Sequence, residues 1–179
     1  MRSAGLDSAP LVDGLLRKAV FFLKRGKPRQ ALAVLRKARA NDAQNALVYY
    51  NLGLSYEAIK RYRKALNSYQ RALSLDPTLT DAAVCQGYIL GLKGDVKREL
   101  MRYDEVLRRD PTHLMALYNK AVALDDSFGN PRAAIPWYLQ TLKQPLTKPQ
   151  QRDVYLRLVY AYLDTRQFRK AETCLKKLI

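Results

Sequence analysis

The side chains from which catalytic and metal sites are built are scarce in this sequence. Its 179 residues include two cysteines, one histidine and one tryptophan. Cys85 and Cys174 are too few for a disulfide framework and too far apart for a metal knuckle, so both are expected to pack between helices. A single histidine in a turn, here His113, is more often a surface residue than a catalyst. We therefore expect no enzymatic activity, no metal site and no cofactor.

Motifs for nucleotides, cations and membranes are incomplete or missing. Gly91-Leu92-Lys93-Gly94 lacks the glycine spacing and the Ser or Thr of a phosphate-binding loop. Asp125-Asp126 has no third and fourth ligand nearby in the sequence, so we expect a solvated helix end. No apolar run approaches the roughly 20 residues of a membrane helix, and the start of the sequence does not read as a secretory signal. These absences favour a cytoplasmic location.

Acidic residues are half as numerous as basic ones. The 16 acidic and 32 basic residues give a net charge of +16, which is large for a chain of 20.5 kDa. A field of this kind favours nucleic acid, an anionic membrane surface or an acidic protein as partner. A solvated surface with a general bias toward Lys and Arg is the alternative, and net charge alone does not distinguish the two.

The sequence is rich, by contrast, in one pattern that repeats with a period of about 34 residues. Small residues in the middle of apolar segments recur at this spacing, each followed three positions later by a large residue: Ala19 and Phe22, Gly53 and Tyr56, Gly87 and Leu90, Ala121 and Leu124. Asp76-Pro77 and Asp110-Pro111 close successive units, because proline keeps the residue before it out of the helical conformation. The pattern predicts pairs of helices that approach closely where their side chains are small.

The most regular unit, residues 46–79, resembles the tetratricopeptide repeat. The residues that match the family pattern are Tyr49, Leu52, Gly53, Tyr56, Ala65, Tyr69, Ala72 and Pro77. The resemblance covers nearly the whole chain and implies an all-α fold, a solenoid of helical hairpins wound into a right-handed superhelix. We place about five units, at residues 12–45, 46–79, 80–113, 114–151 and 152–179, after a leader at residues 1–11.

The fourth unit is longer than the others. The spacing from Ala121 to Ala134 exceeds the spacing from Gly53 to Ala65 by one position, so one residue is inserted near residues 128–131. Three further residues lie in the polar, proline-bearing connection at residues 144–149.

Two other departures concern packing and the chain end. Glu99 stands where other units open their second helix with alanine, and it is expected to reach solvent or pair with a base.

The last unit ends without the polar capping helix that such arrays need. This ending indicates a fragment of a longer protein, or an end that docks onto another chain, so self-association through the array ends is open.

The resemblance implies that the first helix of each unit lines a concave groove. The groove residues are then Leu16, Arg17, Val20, Tyr50, Asn51, Leu54, Val84, Cys85, Tyr88, Tyr118, Asn119, Val122, Leu156, Arg157 and Tyr160. This apolar and aromatic lining suits a segment of a partner protein laid along the groove. Asn51 and Asn119 occupy the same place in their units, where family members use asparagine to bond the backbone of a bound peptide.

The best-known ligand of the family, the acidic C-terminal tail of cytosolic chaperones, is not expected to bind. The family residues that hold this tail are Lys, Asn and Arg on three successive first helices. Leu16, Val20 and Cys85 stand at three of those places in this sequence. The expected protein partner is therefore of another kind.

Basic residues concentrate at the opening turn of each second helix. They form a predicted basic ridge: Arg29, Arg63, Lys64, Lys97, Arg98, Arg132, Arg169 and Lys170. Bases oppose the helix dipole at these positions. The sequence thus leaves two interpretations open, a scaffold that binds a partner segment in the groove and a module whose ridge docks to a polyanion. Binding of nucleic acid is less favoured, because the groove is mostly neutral and few aromatic residues alternate with the basic side chains.

Overall fold

The computed structural model describes residues 8–178, which form ten α-helices and one short π-helix and contain no strand. The helices are α1 (Ser8–Lys24), α2 (Pro28–Asn41), α3 (Ala46–Ala58), α4 (Tyr62–Leu75), α5 (Thr80–Leu92), α6 (Val96–Arg109), α7 (Leu114–Val122), α8 (Pro131–Thr141), α9 (Lys148–Asp164) and α10 (Phe168–Leu175), with the π-helix at Ala123–Ser127. The helices follow one another as hairpin pairs, each with a first helix of odd number and a second helix of even number. The predicted all-α fold of helical hairpins is confirmed. Most of the predicted leader, at residues 1–7, lies outside the described residues.

Two compact units divide the chain within α5, between Cys85 and Gln86. In the first unit α1 packs on α2, α2 on α3, and α3 on α4. The core between α1, α2 and α3 includes Ala19, Ala31 and Leu35, all of which are fully buried. Gly53 is required by the contact between α3 and α4, because a Cβ atom there would lie 2.3 Å from Cε1 of Tyr69. The small residues of the repeat therefore mark where two helices touch.

The second unit is built in the same way. Its core joins Ala121, Ala134 and Tyr138 of the fourth pair to Leu158 and Ala161 of α9, and all five are fully buried. Each of these helices buries an apolar face against the next along the chain, as a repeat protein requires for stability.

One residue in the left-handed conformation ends the first helix of every pair. These residues are Gly26, Lys60, Gly94, Gly129 and Arg166, with φ between 58° and 78°. The residue after each of them donates its backbone N–H to a carbonyl near the helix end, for example Arg61 to Tyr56 at 2.8 Å. This is the usual way in which a left-handed residue caps a helix C-terminus.

The residue inserted in the fourth unit lies inside the helix and not in the turn near residues 128–131 where we expected it. α7 widens at its end into the π-helix Ala123–Ser127, in which Phe128 donates its N–H to the Ala123 carbonyl at 2.9 Å. A π-turn accommodates one extra residue without breaking the helix. Ala121 and Ala134 consequently remain fully buried despite the longer spacing.

The expectation that Glu99 reaches solvent or a base is wrong. Its side chain is 6% exposed, and its Oε1 accepts a hydrogen bond from the Tyr103 hydroxyl at 3.2 Å. Its Oε2 has no hydrogen-bond partner among the described residues. Gly91 makes the room for this carboxyl group, since a Cβ atom there would lie 2.4 Å from Oε2.

Both cysteines lie within helices. Cys174 is buried in the core of the second unit. Cys85 is half-buried in the first unit, where burial and the nearby Glu57 carboxylate raise the pKa of its thiol to about 12. None of the described helices is long and apolar enough to cross a membrane.

Candidate partner-binding surfaces

Six of the predicted groove residues meet in a hollow of the first unit. The hollow has a volume of about 630 Å³ and lies between α1 and α3. Leu16, Arg17, Val20, Tyr50, Asn51 and Leu54 line it, together with Leu23, Lys24 and Leu47. Its walls are mostly apolar, with two bases contributed by α1. We refer to it as the first groove hollow.

Tyr50 and Asn51 of this hollow are already engaged within the protein. The Tyr50 ring lies 6.0 Å from the Tyr69 ring, centroid to centroid. Asn51 is 7% exposed and donates its side-chain N–H to the Leu47 carbonyl of its own helix at 2.8 Å. One N–H of the Asn51 amide is therefore already bonded within α3, whereas the sequence predicted that this side chain bonds the backbone of a bound peptide.

A second groove hollow lies in the second unit. It has a volume of about 290 Å³, and Tyr88, Tyr118, Asn119, Val122 and Arg157 of the predicted groove line it. Glu99 and Tyr103 of α6 contribute to its wall, as do Leu92 and Asp126. These side chains come from α5, α7 and α9, which are the first helices of their pairs, and from α6 and the π-helix.

A network of hydrogen bonds fixes one side of this second groove hollow. Arg157 donates through Nε to the Tyr118 hydroxyl at 3.1 Å and through Nη1 to Asp126 Oδ2 at 3.1 Å. Tyr118 in turn donates its hydroxyl to Asp153 Oδ2 at 2.5 Å. Burial and the Asp153 carboxylate raise the pKa of the Tyr118 hydroxyl. Charge on Arg157 is therefore balanced by two carboxylates, and its position is held by both.

The sequence pattern did not predict the acidic members of this network. Asp126 is exposed, as expected of a solvated helix end, and it also forms an ion pair with Arg157. Asp153 precedes Arg157 by four positions, a spacing that brings side chains together on one helix face and could have identified the pair.

A third hollow, also absent from the sequence-based expectations, is created by the long connection after α8. It has a volume of about 440 Å³ and is mostly apolar. Leu146 from this connection and Pro149 from the first turn of α9 line it together with Leu114 and Met115 of α7. Two of the residues at 144–149 thus border a surface depression beside the second groove hollow, and Tyr118 lines both.

Four predicted groove residues lie elsewhere. Val84 is 3% exposed and belongs to the core, so it does not face a groove. Cys85 is half-buried near Tyr50 and Tyr69 and lines neither groove hollow. Leu156 and Tyr160 on α9 are 42% and 60% exposed and also lie outside the hollows.

All eight residues of the basic ridge are exposed and lie in the first turn of a second helix. α2, α4 and α10 begin without a hydrogen bond from a capping side chain and without an acidic residue in the first turn. α6 differs, because Asp95 caps it and pairs with Arg98. Uncapped N–H groups and bases at the same helix end concentrate positive charge there.

Paired helices with small residues at their contacts define a helical-hairpin repeat protein. Models of the tetratricopeptide repeat family match residues 46–79 and 153–179. These two segments are tetratricopeptide repeats, and the resemblance found in the sequence is confirmed there.

Known proteins with similar sequence or structure are consistent with this assignment. The chain is 27% identical over 142 residues to a probable UDP-N-acetylglucosamine–peptide N-acetylglucosaminyltransferase SPINDLY of Hordeum vulgare, a match that covers 75% of this chain and 15% of that protein. The fold is similar to PilF of Pseudomonas aeruginosa, with a TM-score of 0.84, 18% identity and coverage of 96% of this chain and 76% of that one. It is also similar to YrrB, a tetratricopeptide repeat protein with an unusual peptide-binding site, with a TM-score of 0.67, 21% identity and coverage of 97% and 85%.

The chain spans about half or less of the length of the curated relatives that it matches. Similarity to the SPINDLY transferase extends over a small share of that protein. The tetratricopeptide repeats and the shared fold support a role as a scaffold for protein interaction.

Proposed function

We propose that this chain is a non-catalytic adaptor that binds a segment of a partner protein on the first helices of its pairs. The observation that carries the proposal is the distribution of exposed apolar side chains. Nine of the fourteen large apolar residues that are exposed in the described part of the chain lie on first helices, although second helices are equally numerous there. Exposed apolar surface beside preformed hollows is typical of sites that bind proteins.

The two groove hollows supply the recognition chemistry. The first groove hollow offers aliphatic walls and two bases to a segment with apolar and acidic side chains. The second offers tyrosine rings and the neutralised Arg157 network. Rigid tyrosines and polar side chains combine contact area with adaptable hydrogen bonding. YrrB, with its peptide-binding site, supports the proposal by its shared fold.

The test compares two sets of substitutions that remove similar apolar surface. Leu47→Ser, Tyr88→Ser and Leu156→Ser together change first helices, at side chains 47%, 45% and 42% exposed. The matched control changes second helices with Met101→Ser, Leu139→Ser and Leu175→Ser, at 48%, 41% and 45% exposed. Tyr50 and Tyr118 are left intact, because they contact Tyr69 and Asp153 within the fold.

Partners captured from cell extract by the wild-type chain are identified by mass spectrometry, and the bound segment is then titrated as a synthetic peptide. We expect the first-helix variant to lose peptide binding while the control variant retains it, with the same helical circular dichroism in all three proteins. Unchanged peptide affinity in the first-helix variant would contradict the proposal, and so would an equal loss in the control.

A second function, docking of the basic ridge to a polyanion, is supported by a separate observation. Three second helices begin with exposed bases, no capping side chain and no acidic residue. Binding to poly-glutamate is measured over a salt series, since contacts between exposed charges weaken as the ionic strength rises. Absence of binding even at low salt would exclude this second function without affecting the first.

A further inference from the structure

Four bases surround one hollow in the first unit, which we call the anion hollow. Arg29 and Arg36 of α2 face Arg61, which precedes α4, and Lys64 in the first turn of α4. The hollow has a volume of about 310 Å³, and all four of these side chains are exposed. Its remaining lining is Leu32, Ala33, Tyr56 and Ile59. Arg29 and Lys64 belong to the basic ridge, whereas Arg36 and Arg61 extend it into a concave surface.

No carboxylate lines the anion hollow, and none of its four bases forms an ion pair with an acidic residue of the described chain. Lys64 contacts the Tyr56 ring, with Nζ 5.7 Å from the ring centroid. Like charges gathered in one hollow repel one another. An anion bound in the hollow would relieve this repulsion.

The corresponding place in the next pair of helices is neutralised internally. Asp95 lies one repeat period after Arg61, and Arg98 lies one repeat period after Lys64. The Asp95 carboxylate accepts the backbone N–H of Arg98 at 3.2 Å and pairs with the Arg98 guanidinium. The repeat therefore accepts an acid at the position of Arg61, so the fold does not impose the positive charge of the anion hollow.

The start of α4 adds to this charge. Arg61 occupies the N-cap position without a capping hydrogen bond, and the first turn of α4 contains no acidic residue. The first backbone N–H groups of a helix have no partner within it and attract anions. Guanidinium groups, an ammonium group and a helix N-terminus thus converge, which is a combination suited to an oxyanion with several acceptor oxygens.

We propose that the anion hollow binds the phosphate group of a phosphorylated serine or threonine side chain on a partner protein. A phosphoserine phosphate has close to two negative charges at neutral pH and three acceptor oxygens, which match the number of donors better than one carboxylate does. Leu32 and Ile59 in the lining offer apolar contact to the methylene or methyl group that carries the phosphate. The lining contains no exposed large apolar side chain of the kind that inserts into a bilayer, so a protein ligand is favoured over a lipid headgroup.

This inference rests on the second of the two proposed functions and narrows it from a charged surface to one site. It does not depend on the groove hollows, whose residues are different.

The test uses fluorescein-labelled Gly-Ala-phosphoserine-Ala-Gly and the same peptide with serine, titrated with the full chain at an ionic strength of about 0.15 M. The site variant is Arg36→Gln with Arg61→Gln. The matched control is Arg169→Gln with Lys170→Gln, which removes the same charge from the start of α10, another helix without a capping side chain or acid. Each variant is checked for wild-type helicity and thermal stability, and all four side chains are exposed.

We expect saturable binding of the phosphopeptide, no saturable binding of the serine peptide, and a loss of about tenfold or more in the site variant, since charge-assisted hydrogen bonds are lost. The control variant is expected to bind within about twofold of the wild type, since it leaves the site intact. Equal weakening in the two variants would overturn the inference in favour of a diffuse ridge. The inference also fails if phosphatidylcholine vesicles containing phosphatidylinositol 4-phosphate bind through Arg36 and Arg61 while the phosphopeptide does not. Binding of poly-glutamate without phosphopeptide binding would leave the ridge proposal standing and remove this one.

Discussion

The Tyr69 hydroxyl of α4 donates a hydrogen bond of 2.6 Å to Oε2 of Glu57, close to the end of α3. The same relationship recurs in the fourth pair, where Tyr138 donates to Asp125 Oδ2 at 3.1 Å. In both cases burial raises the pKa of the carboxyl group. A fully buried tyrosine of the second helix is thus paired with a carboxylate near the end of the first.

The third pair makes the same bond with the acid moved to the other helix. Gly91 lies one repeat period after Glu57 and has no side chain to offer, so Tyr103 donates instead to Glu99 of its own helix. The first pair has Leu23 and Leu35 at the places of Glu57 and Tyr69. Each pair that has the buried tyrosine hydroxyl thus also has a carboxylate that accepts its hydrogen bond, and the first pair has neither. In the third pair this carboxylate is supplied by Glu99, which stands where other units have alanine.

Substitutions at Glu57 and Tyr69 should be energetically coupled. Glu57→Leu leaves the buried Tyr69 hydroxyl without its acceptor, at a cost of about 1–3 kcal/mol, whereas Tyr69→Phe removes the donor and costs about 1 kcal/mol. In the double variant no group is left unpaired, so the loss should be about 1 kcal/mol smaller than the sum of the single losses. Urea unfolding followed by circular dichroism measures this difference.

Tyr49→Phe is the matched control for the tyrosine, because its hydroxyl donates to the Ala43 carbonyl in an exposed bond. The change should cost less than about 0.5 kcal/mol. Strict additivity of Glu57→Leu and Tyr69→Phe would show that the 2.6 Å bond contributes nothing to stability.

The buried Glu99 carboxyl should make stability fall as the pH rises. Its pKa is raised above the ordinary 4.5 chiefly by burial. Its unfolded form therefore ionises at a lower pH than its folded form, so the favourable contribution is complete below about pH 4.5 and is lost as the pH rises through the folded pKa. Glu99→Gln keeps an acceptor for Tyr103 and removes the charge. It should raise Tm at pH 7 by ~2–4 °C, which corresponds to roughly 1 kcal/mol.

The gain from Glu99→Gln should be smaller at pH 4 than at pH 7, because Glu99 is then largely protonated in the folded protein. Asp13→Asn changes net charge by the same amount at an exposed side chain of α1 and serves as the control. A gain that is equal at both pH values, or that Asp13→Asn reproduces, would mean that net charge and not the buried carboxyl is responsible.

Backbone strain at Lys60 offers a further prediction. Lys60 has φ of 58°, where three other turns have glycine, and a left-handed conformation costs a non-glycine residue about 1–2 kcal/mol. Lys60→Gly should stabilise the fold by about 0.5–1 kcal/mol after the greater freedom of glycine in the unfolded chain is included. Arg61→Gly removes the same charge one residue later, where φ is −86°, and is expected to destabilise. The midpoints of thermal unfolding of the two variants should therefore move in opposite directions.

The helices and their contacts can be predicted from the sequence because both depend on local pattern. Ala19, Gly53 and Ala121 follow the repeat period, and Gly53 lies directly against Tyr69 in the structure. Val84 was wrongly assigned to the groove. Successive side chains on an α-helix are rotated by about 100° around its axis, so a residue at the edge of the groove-facing side can instead point into the core.

The remaining features depend on how the folded chain accommodates an extra residue or a missing side chain. A comparison of spacings shows that the fourth unit has one residue too many, but not that α7 absorbs it as the π-helix Ala123–Ser127. Likewise Glu99 was recognised as an exception, whereas its cause lies in the missing side chain of Gly91 and the hydroxyl of Tyr103. The anion hollow was missed for the same reason, since Arg36 and Arg61 belong to different helical hairpins and meet only in the folded chain.

The contact between Gly53 and Tyr69 leads to the last prediction. A Cβ atom at Gly53 would lie 2.3–2.9 Å from three atoms of the Tyr69 ring. The ring is fully buried and its hydroxyl is bonded to Glu57, so it has little freedom to move. Gly53→Ala should therefore destabilise the protein by about 1–3 kcal/mol, as overpacking of a core does.

Gly14→Ala is the control, because Gly14 also lies inside a helix but has nothing within 4 Å of its Cβ position. It should stabilise by roughly 0.5–1 kcal/mol through helix propensity alone. Urea midpoints that shift in the same direction for both variants would show that the predicted clash at Tyr69 is relieved by movement of the helices.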